Sequence, residues 1–234
     1  MTAVAALAIF ALFQFLGDAL ESARGEAGLV IAPVIVLATA LSDRLIAPAP
    51  WREVFARLGF VRPEARGVAM VCAVGVLLIA FVPIYGHFTR GQLVMYPGWL
   101  WLLPGLFAQG GIAEETLFRG FLYRRFRESR AFGAAVSASS LPFALAHAPL
   151  FLMMPREFAA AAVALALLTA APLAQAFEIN GRAIWAPAIL HFAIQGGIKV
   201  MTLTGGPWAA GLPFAWMAAC AILPYAIFAV RRRT

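Results

Sequence analysis

Gly110-Gly111-Ile112-Ala113-Glu114-Glu115-Thr116-Leu117-Phe118-Arg119-Gly120 is the stretch on which the reading of this chain turns. Two acids and an arginine stand inside a run, Pro97 to Tyr123, that is otherwise largely apolar. At the centre of a bilayer each ionisable side chain costs about 2.5 to 3.5 kcal/mol on insertion scales, whereas in water it costs nothing. The setting of the run therefore decides what these charges mean. The 234 residues are 63% hydrophobic and 12% charged, with a mean hydropathy of +0.86. Globular domains are about half apolar and roughly a quarter charged, so this chain has too few charges to cover a water-soluble surface. Disordered chains are poor in apolar residues, which excludes disorder as well. The two cysteines, Cys72 and Cys220, are too few for a disulfide scaffold or a cysteine-built zinc site. What remains is an all-α polytopic membrane bundle.

A helix crossing about 30 Å of hydrocarbon needs about 20 apolar residues. Eight runs qualify as candidates: Ala3–Gly17, Gly28–Ala47, Gly67–Tyr85, Pro97–Tyr123, Phe132–His147, Phe158–Phe177, Ala183–Met201 and Trp208–Val230. The fourth and seventh contain polar residues that no lipid-facing helix would carry. Residues 1–234 read as one membrane domain, with no basic stretch before the first run, which marks it as a retained span and not a cleaved signal.

Charge gives an independent check on the count. The net charge of +7 comes from 17 arginines and one lysine against 11 acids. On a soluble chain a pI near 10.4 would suggest nucleic acid. Here the cations sit in short clusters between apolar runs, and no nucleic-acid partner is expected. With eight spans, 13 of them fall on one side: Arg44, Arg52, Arg57, Arg62 and Arg66, then Arg124, Arg125, Arg127 and Arg130, then Arg182, then Arg231, Arg232 and Arg233. Arg24, Arg90, Arg156 and Lys199 fall on the other. The positive-inside rule then puts both termini in the cytoplasm, and the composition suits a bacterial inner membrane. Residues 42–66 form the one sizeable extramembrane segment, where Trp51, Val54, Phe55 and Leu58 follow helical spacing. A short helix on the membrane surface and a plain solvated loop both fit it.

Helical geometry sorts the charges of the fourth run. Glu115 and Arg119 are i, i+4 neighbours with the acid first, the favourable order for a pair. Glu114 is turned by about 100° from Glu115, so it addresses a different direction and is left for a cavity. His147 follows Phe143 by one turn at the end of the fifth run. His191 and Gln195, again i, i+4, converge from the seventh, and N–H donors aimed together suit a developing oxyanion. Three spans thus contribute polar groups that are expensive unless they meet in one wet pocket. The expectation is that Glu114, assisted by His147, deprotonates a water that attacks a peptide carbonyl, while His191 and Gln195 hold the oxyanion. The two depths do not match. Glu114 lies about nine residues, or 14 Å, from the inner end of its span, and His147 about 16 residues, or 24 Å, from the start of the next. The mismatch shrinks if the fifth span starts nearer Val136 and the arginines after Tyr123 extend the fourth.

At these residues the chain resembles the CPBP family of membrane proteins, the CAAX prenyl protease type II and bacteriocin-processing group also called Abi. Glu114-Glu115-Thr116-Leu117-Phe118-Arg119 fits its EExxxR motif, and Phe143-Ala144-Leu145-Ala146-His147 fits FxxxH. His191-Phe192-Ala193-Ile194-Gln195 fits HxxxN or HxxxD except that glutamine replaces the last residue. The likeness covers about residues 97–200, a protease-like core. It implies an eight-helix intramembrane endopeptidase with Glu114 as catalytic glutamate, His147 helping to activate water, and His191 with residue 195 as oxyanion hole. The substrate would be a peptide or a membrane-tethered protein.

Alternatives stay open at this point. Glu114, His147 and His191 could bind zinc, as members of this family have often been described as metalloproteases. No H-E-x-x-H is present, and the reading favours a metal-free mechanism with no cofactor. The same polar residues would serve an ion-coupled transporter, although the two halves share no repeat. A catalytically silent scaffold or immunity protein would also keep the fold.

Overall fold

The computed structural model describes residues 2–20, 25–145 and 147–229. Arg24 and the terminal Arg231, Arg232 and Arg233 lie outside the described residues. Helices follow the eight apolar runs in order: α1 (Thr2–Ala19), α2 (Glu26–Ile46), α4 (Ala65–Thr89), α5 (Trp99–Leu106) with its continuation, α7 (Phe132–Leu145), α9 (Arg156–Ile179), α10 (Trp185–Val200) and α11 (Leu212–Ile222), the last prolonged by a 3-10 turn. Between them lie α3 (Trp51–Arg57), α6 (Arg124–Arg127), α8 (Leu150–Met153) and two four-residue strands, β1 (Gln92–Met95) and β2 (Met201–Thr204).

Among the described residues six helical stretches are long and apolar enough to cross a membrane by length and composition, and the fourth and seventh runs are not among them. Those are the two that carry Glu114, Glu115, Arg119, His191 and Gln195. Only 22 to 39% of each of the six is buried within the protein, so most of their apolar surface faces outward. Leu152 and Phe88 are 91% and 81% exposed. Such a surface is stable only in hydrocarbon, and the chain is an integral multi-pass membrane protein.

The ends of the helices agree with the alternation of eight spans. Asp43 near the end of α2 meets Arg124 and Arg125 at the end of the fourth span. Arg127 meets Glu178 near the end of α9, and the Trp185 indole at the start of α10 donates to the Val61 carbonyl ahead of α4. At the opposite end, β1 follows α4 and β2 follows α10, and the two pair antiparallel from Gln92–Thr204 to Met95–Met201. Both strands are short edge strands, which limits their tendency to recruit further chains.

Residues 51–57 form a helix, not a loop, and one face of it packs on the bundle. Val54 and Leu58 are fully buried, and the Leu58 carbonyl lies so close to Gly120 that no Cβ would fit there. The amphipathic face plugs the arginine-rich end of the bundle beneath the motif-bearing helix. Above it, one apolar cluster joins α4, α9, α10 and α11, and a second joins α1, α2, α3 and α7.

The fourth span departs most from an ideal helix. After α5 it continues through two π-helical segments, π1 (Phe107–Ala113) and π2 (Thr116–Tyr123), before closing into α6. A π turn bonds i to i+5 and is wider than an α turn, and such turns gather at functional sites. Glu114 and Glu115 sit at the joint between π1 and π2.

Candidate active site

Glu115 is completely buried and is the anchor of the site. Its Oε1 accepts a hydrogen bond from Arg119 Nη1 at 3.0 Å, the i, i+4 pair expected from the sequence. The same oxygen lies 2.6 Å from His191 Nδ1 on α10, 76 residues away. A carboxylate only accepts, so His191 carries its proton on Nδ1 and presents Nε2 as an acceptor. Gln195 Nε2 lies 2.6 Å from that atom and donates to it. The Gln195 carbonyl oxygen in turn accepts from Lys199 Nζ at 3.1 Å. Lysine and arginine, at the two ends of this ladder, can only donate, which fixes the direction of every bond between them. His191 therefore offers a lone pair to Gln195, in place of the N–H that the sequence reading gave it.

Phe143 on α7 binds the three motifs together. Its ring lies 4.7 Å from Phe118, 5.1 Å from His147 and 6.3 Å from His191, all near edge-to-face. The Arg119 guanidinium sits 4.6 Å from the same ring. Quadrupole attraction to a desolvated cation favours this placement. One apolar side chain thus covers the Arg119–Glu115 pair and aligns both histidines.

His147 does not end a helix as the sequence suggested. The helix α7 stops at Leu145, and His147 lies on the turn that leads into α8. Its Nδ1–H donates to the Phe143 carbonyl at 2.9 Å, which leaves Nε2 as an acceptor. Nor does the fifth span begin late, because α7 starts at Phe132. The depth mismatch is resolved from the other side, since the fourth helix runs on through Arg127.

Glu114 turns away from the ladder, as its offset from Glu115 required. It lines a cavity of about 490 Å³ together with His147, His191 and Gln195. Its Oε2 lies 3.8 Å from His191 Nε2. Glu115 and Arg119 are behind the wall and do not line the cavity. Much of the remaining wall is apolar, from Phe10 and Phe13 on α1, Leu165 on α9 and Trp216 on α11, with Gln109 and Lys199 among the polar exceptions. Of these, α1 and α11 carry no motif, and nothing in their composition marks them as walls.

The arginine-rich end holds a second buried network. Asp43, fully buried, meets Arg57 at 2.9 Å and Arg124 and Arg125 at 2.7 Å each. These arginines read in the sequence as orienting charges only, and the lone aspartate near the end of α2 gave no sign of its partners 81 and 82 residues away.

Comparison with curated proteins finds no match to the chain. The segment from β1's end to the third motif does have a known counterpart. Residues 96–196, which hold all three motifs, are similar to the family model described as type II CAAX prenyl endopeptidase Rce1-like.

Proposed function

We infer that the chain hydrolyses a peptide bond within or beside the membrane, using Glu114 as general base on a water held between it and His147. The observation that carries this reading is the meeting of Glu114, His147, His191 and Gln195, from three separate spans, on one cavity wall. A catalytic base must reach the proton that it takes, and a carboxylate with its free face toward a cavity can do so. The water oxygen bonds to the substrate carbonyl carbon as its proton passes to Glu114. The second N–H of Gln195, not used on His191, donates to the oxyanion. The tetrahedral adduct then collapses as the C–N bond breaks and the leaving amine takes the proton. The substrate is a peptide or membrane-tethered protein, and the apolar wall from α1, α9 and α11 suits a hydrophobic side chain or anchor.

Zinc fits these residues poorly. Among the described residues no group of three His, Cys, Asp or Glu converges as metal ligands would. His191 has both ring nitrogens engaged, by Glu115 and by Gln195. No metal-dependent step is therefore assigned. The arginine-rich end faces the cytoplasm in this reading, following the positive-inside rule in a bacterial inner membrane.

The test is cleavage of a library of membrane-tethered fluorogenic peptides by the purified protein in liposomes. Glu114→Gln is expected to abolish turnover while leaving folding intact. Equal cleavage by the variant and the wild type would sink the proposal, and proton-coupled flux without cleavage would favour a transporter.

A further inference from the structure

The third motif of this chain ends in Gln195, one methylene longer than the asparagine or aspartate of the family pattern. A longer amide has more rotamers to lose and more ways to point wrongly. Two features of the structure answer that excess. Gly110 in π1 lies opposite, where an added Cβ would come within 2.6 Å of Gln195 Oε1. Lys199, one turn beyond Gln195 on α10 and the chain's sole lysine, donates to the same oxygen at 3.1 Å.

An amide turned the other way would present its NH2 to the ammonium and its oxygen to the His191 Nε2 lone pair, two repulsive contacts in place of two bonds. Lys199 thus selects the orientation in which the amide nitrogen faces both His191 and the cavity. We propose that Lys199 is a positioning residue that clamps the Gln195 amide, allowing a glutamine to do the work of the shorter residue. Lys199 acts through Gln195 and takes no proton in the reaction. The inference rests on the hydrolytic reading above, and its tests separate the two.

Removing an oxyanion donor outright costs about a hundred- to a thousandfold in kcat, so releasing its clamp costs less. Lys199→Gln is expected to lower kcat by about tenfold with KM unchanged, and Lys199→Arg to restore most of the loss. In a Gln195→Asn background the shorter amide no longer reaches Lys199, and Lys199→Gln is expected to change kcat less than about twofold, the signature of a coupled pair. Equal losses in both backgrounds, or none in either, would overturn the clamp. A second readout needs no substrate. With 15N-histidine labelling in micelles, the His191 Nε2 resonance of the Lys199→Gln variant is expected to move toward that of an imine nitrogen without a donor. An unmoved resonance overturns the clamp whatever the turnover. A moved resonance in a protein that cleaves no peptide would leave the clamp standing as structure and refute its role in hydrolysis.

Discussion

Two adjacent glutamates with different surroundings make the sharpest stability test of this site. Glu115→Ala removes a fully buried carboxylate that accepts from Arg119 at 3.0 Å and from His191 at 2.6 Å. Arg119 is left 3% exposed beneath the Phe143 ring, a buried cation that has lost its hydrogen-bonded carboxylate. Breaking a buried pair by removing one partner costs about 3 to 5 kcal/mol. For a chain of this size each kcal/mol shifts the melting midpoint by about 2 to 4 °C, so the midpoint should fall by about 6 to 20 °C. Glu114 differs, because its nearest partner is His191 Nε2 at 3.8 Å and its face is open to the cavity. Truncating it relieves a carboxylate of incomplete solvation, and Glu114→Ala should melt at or above the wild-type temperature. The assay is thermal unfolding in detergent micelles followed by intrinsic tryptophan fluorescence. Similar shifts for the two variants, or a larger one for Glu114→Ala, would refute the division into an anchoring and a cavity-facing carboxylate.

Asp43→Ala should also unfold early, by a comparable loss of about 3 to 5 kcal/mol, because it leaves Arg57, Arg124 and Arg125 crowded without their shared acid. Melting measured alongside an Arg125→Ala/Asp43→Ala double variant should show partial recovery, and its absence would mean that the arginines are solvated in place. Exhaustive chelation should leave peptide cleavage unchanged, whereas loss of activity restored by zinc alone would overturn the metal-free mechanism.

Much of this architecture is legible in the sequence because its causes are local or additive. A run such as Ala65–Thr89 announces itself through summed hydropathy over the width of a bilayer, and the Glu115–Arg119 pair through spacing within one helix. The offset that sends Glu114 to the cavity and Glu115 to the interior follows from neighbouring positions on a helix. The widening of the turns around them does not, because a bond to i+5 in place of i+4 leaves no mark in composition. Nor does the second partner of Glu115, since His191 arrives from a separate span through tertiary packing. His191 and Gln195 read correctly as neighbours, but which of their atoms donates depends on Glu115 and Lys199 at either end. The end of α7 ahead of His147 was hidden for a similar reason: an apolar composition continues through Leu150–Met153 after the backbone has turned.

The buried aspartate at the arginine-rich end changes how that end meets a lipid surface. Four carboxylates, Asp43, Glu53, Glu128 and Glu178, lie within 3.6 Å of Arg57, Arg124, Arg125 and Arg127, so their field is largely cancelled. Composition therefore overstates the electrostatic grip of the assembled protein on acidic headgroups. Its adhesion to anionic vesicles should respond only mildly to ionic strength, although during insertion, before the helices gather, every one of those cations still counts toward choosing a side.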